Sequence, residues 1–462
     1  MSLAAPALHD AAHLLWAPRA WVDGAWAESV LLQVDARGHW ARISVNTVAR
    51  PQAQVLTGPV LPALVDAHSH AFQRAFVGLA ERRDSAHDDF WGWRDRMYGV
   101  ALRISPEQLL HVATHLYAEL LVGGYTQVCE FHYLHHREDG TPYADEAAMA
   151  AALAEAAQTT GIGLTLLPVL YERAGFSAPA LRAEQRRFGA DVARVLRLRD
   201  TIRGWRLPAV SAGVAIHSLR AAHPHSLHEL SRQSLGDSGP IHIHVAEQTA
   251  EVDDCLAATG ARPIEWLARE LPLDARWQLV HATHATPQEI ETVAATGAGV
   301  VLCPGTEANL GDGLADLPRW LQAGVPLSVG SDSQVVRSWC EELRWLEYGQ
   351  RLLLRQRNVA AAPGQQPSTG ARLFDRCLSG GGTAAGLALW GLQRGARADL
   401  LLLNEADAAL CGLPAQHQLD GLVFAAPARP FARTMVAGRW CKPRDTGPAF
   451  AATMSALWPL SG

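Results

Sequence analysis

Three short stretches of the 462-residue chain carry side chains whose types and spacing suit metal chemistry. "LVDAHSHAF" holds His68 and His70, "HIHVAE" holds His242, His244 and Glu247, and "SVGSDS" holds Asp332. In an extended strand residues i and i+2 face the same way, so His68 and His70 point together and can share one cation. His242 and His244 also share a face. His244 is taken as the ligand because it is nearer the strand's C-terminal end and Glu247, and His242 as a hydrogen-bonded core residue. Small neighbours let Asp332 approach closely. Three neutral imidazoles and one carboxylate suit zinc or another borderline divalent ion such as iron, with a position left for water. Such an ion activates water near neutral pH, and the reaction then needs a proton carrier. Glu247, three residues past His244, suits a shuttle from that water to a leaving group. The plain alternative is a glutamate facing a helix dipole. His281, in "LVHATH", either polarises the electrophile or holds the nucleophile, and Asp332 can also accept a proton from the water. His284, in the loop beyond, is expected to be structural.

Eight apolar, β-prone runs with helical patterns between them must position these residues: 61–70, 125–133, 162–170, 208–218, 240–247, 277–284, 298–307 and 326–333. Most are nearly continuous in apolar residues, as expected of parallel strands buried on both faces. The clearest helix is "SPEQLLHVATHLYAELLVGG", with Ser105 as N-cap, Pro106 at the first helical position, Gln108 completing a capping box and Gly123 as the stop. This alternation predicts an α/β fold, a (β/α)₈ TIM-type barrel, with an open doubly wound sheet as the alternative. Polar residues gather at the ends of these runs: His68, His70, Glu130, His132, His217, His244, Glu247, His281, Glu307 and Asp332. Convergence from so many strands favours the closed barrel, whose active sites lie at that rim. The flanks differ. "LLWAPRAWVDGAWAESVLLQVDARGHWARISV" has Asp-Gly and Arg-Gly turns between alternating runs, and "ADLLLLNEADAAL" and "RTMVAGRWCKP" are strand-like. Residues 1–60 and 393–462 are therefore expected to form one small β-sandwich domain beside a metal-dependent hydrolase barrel at 61–392. "NVAAAPGQQPSTGAR" (358–372) is expected to be a surface loop.

Composition excludes several classes. At 48% hydrophobic the chain can bury a large core, and a net charge of −6 without a basic run argues against a nucleic-acid partner. Seven scattered cysteines (129, 255, 303, 340, 377, 411 and 441), never spaced C-x-x-C, suit free thiols in a reducing compartment. The opening "MSLAAPALHDAAHLLWAPRAW" lacks the basic start of a signal peptide, and no apolar run nears the ~20 residues needed to span a bilayer. A soluble cytoplasmic protein is expected. Lys442, the single lysine, lies in the C-terminal flank, which excludes a lysine-bridged binuclear centre or a Schiff-base mechanism inside the barrel. No G-x-x-x-x-G-K-[ST] is present and no G-x-G-x-x-G opens a helix, so nucleotide-phosphate binding has no support.

H-x-H on the first strand, H-x-x-E on the fifth, His on the sixth and Asp on the eighth together resemble the amidohydrolase superfamily, in its mononuclear-metal deaminase branch. The flanking "GARADLLLLN" and "MVAGRW" match that branch too. Within it, "HSHAFQRAFVGLAERR", "FWGWRDRMY", "EFHYLHH" and "IHSLRA" are similar to the deiminases of formimino amino acids. The resemblance implies one divalent ion per subunit, held by His68, His70, His244 and Asp332. It implies catalysis by Glu247 and His281, and substrate contacts by Gln73, Arg94, Tyr133, His217 and Arg220. The reaction implied is hydrolysis of N-formimino-L-glutamate to N-formyl-L-glutamate and ammonia, in histidine degradation, by a homodimer.

Such an amidine carries two carboxylates and calls for fixed cations, and arginine forks bind carboxylates bidentately. Arg94 is expected in a long loop after the first strand, within an aromatic lid of Phe90, Trp91 and Trp93. Its plain alternative is a surface arginine paired with Asp88, Asp89 or Asp95. Arg220 follows the fourth strand. Tyr133 and His217 end their strands and either donate to a carboxylate or are satisfied core groups. Gln73 bonds either the formimino nitrogen or the α-carboxylate. His132, His135 and His136 carry no assignment. Two competitors remain: a deaminase of guanine, cytosine, adenosine or a related heterocycle, which would want stacking aromatics rather than paired arginines, and a catalytically silent metal-binding barrel, which would need neither Glu247 nor His281.

Overall fold

The computed structural model describes residues 13–81, 90–426 and 430–459. The first twelve residues of the opening stretch lie outside that set. No described helix is long and apolar enough to cross a membrane.

Eight parallel strands form the barrel wall. They are Leu64–Ser69, Tyr125–His132, Gly163–Leu170, a fourth split into Val210–Ala212 and Val214–Ile216, Ile241–Val245, Trp277–His281, Gly299–Leu302 and Leu327–Val329. Nearly every residue of these strands is buried, because the inner face fills the barrel and the outer face meets helices. The ring closes between the first strand and the segment after the last. Asp332 N–H donates to the His68 carbonyl at 2.9 Å, His70 N–H to the Asp332 carbonyl at 3.1 Å, and Ser69 pairs with Asp332 as a parallel bridge. The hydrogen bonds that shut the barrel thus run through the residues singled out for metal binding. Gly330 allows this approach: a Cβ there would sit 2.7 Å from the His68 Cβ and 2.8 Å from the His68 backbone nitrogen and oxygen.

The helix after the first strand spans Pro106–Val122, with Ser105 and Gln108 forming the capping box, and buries Leu109, Val112, Leu116 and Leu120. Such a cap stabilises a helix by about 1 kcal/mol. Two sequence expectations need correction. Arg94 sits on a helix, Phe90–Ala101, rather than in a loop. Asp88 and Asp89, and the side chains of Phe90, Trp91 and Asp95, lie outside what is described. Glu307 does not end a strand, because Pro304 opens a short helix, Pro304–Leu310, two residues after the seventh strand stops.

The two chain ends form a second sheet. His13–Val22 and Ala25–Val34 make a hairpin about Asp23-Gly24, Trp40–Ser44 adds to it, and Val60–Leu61 joins it to Leu400–Leu403, Phe431–Val436 and Arg439–Trp440. Leu15, Val30, Leu32, Trp40, Leu56, Leu400, Leu402 and Met435 fill a separate core. Leu392, one residue before the expected boundary, belongs to that core as well. The last helix, Gly447–Leu457, leaves the sheet and packs on the barrel helix Pro106–Val122, with Trp458 Nε1–H donating to the Ala75 carbonyl at 2.8 Å. In the expected surface loop, Ser368 caps a helix that starts at Thr369.

Candidate metal centre and substrate cleft

At the barrel's C-terminal mouth His68 stands between the imidazoles of His70 and His244; His68, His70 and Asp332 lie close enough together to hold one ion, and so do His68, His244 and His281. His68 Nε2 lies 3.2 Å from His70 Nε2 and 2.9 Å from His244 Nε2, and Asp332 Oδ1 lies 3.5 Å and 3.4 Å from the His68 and His70 nitrogens. All four side chains are buried. His70 Nδ1–H donates to the Phe131 carbonyl at 3.0 Å, so its Nε2 presents a lone pair. Burial holds His68 down to about 3, and it lowers His70 and His244 as well, so the three rings are neutral. Burial works against the Asp332 carboxylate, yet the imidazoles around it, the His281 ring among them, keep it below its ordinary range. Neutral acceptors packed this closely repel one another unless a cation sits among them. Donors about 2.0–2.1 Å from a common ion stand roughly 2.9–3.4 Å apart, which matches the spacings found. The donor set fits a divalent ion.

Four non-glycine residues at these strand exits have left-handed backbone: Ala246 (φ 51°), His281 (φ 70°), Ala282 (φ 46°) and Asp332 (φ 48°). Such conformations cost roughly 1–3 kcal/mol each and persist where the surroundings over-determine them, commonly at functional sites. His281 Nδ1–H donates to Glu307 Oε1 at 3.3 Å, and its Nε2 faces Glu247 Oε1 and Asp332 Oδ2, each at 3.8 Å. Burial opposes a charged ring, but Glu247, Glu307 and Asp332 together push His281 up to about 10. His242 lies a layer deeper, with Nε2 2.8 Å from the Ala384 carbonyl. His284 is tied to the Asp312 carbonyl at 2.9 Å.

A cleft opens above this cluster. Gln73, Arg94, Tyr133, His217 and Arg220 all line it, together with His70, His244, Glu247, His281 and Asp332. Arg94 donates from Nε and Nη2 to the Tyr98 hydroxyl at 3.2 and 2.9 Å. Gln73 Nε2 donates to the Tyr133 hydroxyl at 3.2 Å, while its buried Oε1 has no partner among the described residues. His217 packs on Tyr171 with ring centroids 4.4 Å apart. Sequence reasoning missed Tyr98, Tyr171 and Phe188 as lining residues. Tyr171 stands one residue beyond the third apolar run, the only local signal it offered. His132, His135 and His136 stay outside the cleft.

A closed parallel barrel with a convergent imidazole and carboxylate cluster at its rim defines a class, the metal-dependent hydrolases. Comparison with known proteins narrows it: residues 60–441 match the Amidohydrolase family, and the chain belongs to that family. Formimidoylglutamate deiminase of Pseudomonas aeruginosa is 45% identical over 427 residues, covering 92% of this chain and 94% of that protein. The crystal structure of an amidohydrolase from Brucella melitensis superposes with a TM-score of 0.90 at 42% identity, covering 96% of this chain and 99% of the other. An adenosine deaminase from Xanthomonas campestris with bound zinc shares the fold at a TM-score of 0.78 and 22% identity, covering 95% and 96% of the two chains.

Proposed function

We propose that the chain hydrolyses N-formimino-L-glutamate to N-formyl-L-glutamate and ammonia, a step of histidine degradation. The observation that carries this reading is the placement of two guanidinium groups, Arg94 and Arg220, in the same cleft as His70, His244, Glu247 and Asp332. Two fixed cations suit a substrate with two carboxylates and give a flat heterocycle little. The Pseudomonas deiminase supports the same substrate.

His68, His70, His244 and Asp332 would hold one ion per chain, zinc with iron as the alternative. The bound ion supplies the Lewis acidity that makes water nucleophilic near neutral pH. Glu247 takes a proton from the attacking water and delivers it to the departing nitrogen. His281, held by Glu307, steadies the oxygen as it adds to the formimino carbon, and Asp332 is a further proton acceptor. The water oxygen bonds to that carbon, the bond to the imino nitrogen breaks, and both water protons leave on ammonia. Arg94 and Arg220 bind the carboxylates, assisted by Tyr133 and His217, and the unpartnered Gln73 Oε1 accepts an amidine N–H. The free, mostly buried cysteines suit the reducing cytoplasm, and a homodimer is the assembly we expect.

Ammonia release from N-formimino-L-glutamate, guanine, cytosine and adenosine by zinc-loaded protein tests the proposal. Turnover of the first alone is expected. Release from a nucleobase or nucleoside with none from the formimino compound would overturn it.

A further inference from the structure

Glu251 lies in the first turn of the helix Thr249–Thr259, four residues beyond Glu247, and is 8% exposed. A glutamate at this third helical position ordinarily reaches back to the N–H of the capping residue. Glu251 reaches further: one carboxylate oxygen accepts the Ala246 N–H at 3.2 Å and the other accepts the Glu247 N–H at 3.1 Å. Ala246 is the residue in the left-handed conformation that turns the fifth strand outward. The same turn is held from its other side, where His284 N–H donates to the Ala246 carbonyl at 3.0 Å and Gln248 Nε2 donates to Asp312 Oδ1 at 2.9 Å.

We propose that Glu251 is a positioning residue for the proton shuttle: its carboxylate locks the backbone of residues 246 and 247, so that the Glu247 side chain stands between His281 and the substrate. The inference rests on the shuttle role given to Glu247 above. Two backbone donors on one carboxylate fix both the direction in which the chain leaves the strand and the origin of the Glu247 side chain. The Glu251 charge also acts on Arg220, whose guanidinium has no hydrogen-bond or ion-pair partner among the described residues. The Glu251→Gln substitution keeps the shape but turns one acceptor into a donor that faces an N–H.

The test is a double-mutant cycle on the zinc-loaded enzyme, with kcat for ammonia release, zinc content and Tm measured for each protein. Glu251→Gln in the wild-type background is expected to lower kcat by about 10- to 100-fold at unchanged zinc content, the size expected of a misplaced reacting group. In the Glu247→Gln background the same change is expected to lower kcat by less than about 2-fold, because its effect passes through Glu247. General structural damage would cost the same factor in both backgrounds, and that result would overturn the proposal. An undiminished Glu251→Gln beside an impaired Glu247→Gln would overturn only the role of Glu251. Wild-type turnover by Glu247→Gln would instead remove the shuttle itself. If Glu251→Gln does not fold, the same cycle with Glu251→Asp decides, since that variant keeps the charge and shortens its reach by one methylene.

Discussion

Replacing Arg220 by glutamine should cost substrate recognition and little else. Its guanidinium lines the cleft and makes no hydrogen bond or ion pair with the described protein, so the folded enzyme loses no internal bond when it goes. Its partner is expected to be a substrate carboxylate. Removing one member of a desolvated, hydrogen-bonded charge pair costs about 2–4 kcal/mol. At about 1.4 kcal/mol per factor of ten, kcat/KM should fall roughly 30- to 1000-fold, mainly through KM. Steady-state ammonia release would measure this on three compounds: N-formimino-L-glutamate, N-formimino-glycine with the α-carboxylate alone, and N-formimino-4-aminobutyrate with the side-chain carboxylate alone. The loss should persist with the dicarboxylate and with one analogue, and vanish with the analogue that lacks the carboxylate Arg220 binds. A change below about threefold on the full substrate would refute the assignment. An equal loss on all three compounds would point to damage unrelated to recognition.

Further outcomes follow from the same geometry. Glu247→Gln should lower kcat by about 10²- to 10⁴-fold while zinc content holds, as expected for loss of a general acid–base group, measured by ammonia release and metal analysis together. Chelation should abolish turnover and lower Tm, because the buried, mutually facing imidazoles then have no cation between them, and added zinc should restore both. Gly330→Ala should push the last strand away from His68, destabilise the fold by roughly 1–3 kcal/mol and reduce zinc content, read by denaturant unfolding and metal analysis. Retention of full zinc binding and stability in that variant would contradict the close approach seen at the barrel seam.

The barrel was legible because parallel strands buried on both faces leave continuous apolar runs, and eight of these appear between residues 61 and 333. The histidine pair was legible because strand periodicity puts i and i+2 on one face. What the sequence withheld is tertiary. Asp332 was already read as sharing an ion with His68, but the backbone hydrogen bonds that join the two across the barrel seam relate residues far apart in the chain. The left-handed turns at Ala246, His281 and Asp332 fall on residues that carry no glycine signal. Arg94 was expected in a loop because aromatic clustering around it masked the helix Phe90–Ala101. The C-terminal helix was hidden by its small-residue composition, and its docking on the barrel depends on partners such as Ala75. Phe188 and Tyr171 reach the cleft from the connection after the third strand, where no periodicity marks a facing direction.

Titrating metal-free protein with zinc while recording ammonia release from N-formimino-L-glutamate tests most directly that four distant side chains gather one catalytic ion. Activity should rise in proportion to added zinc and level off at one equivalent per chain. No ammonia at any ratio, or a plateau that requires two equivalents, would contradict it.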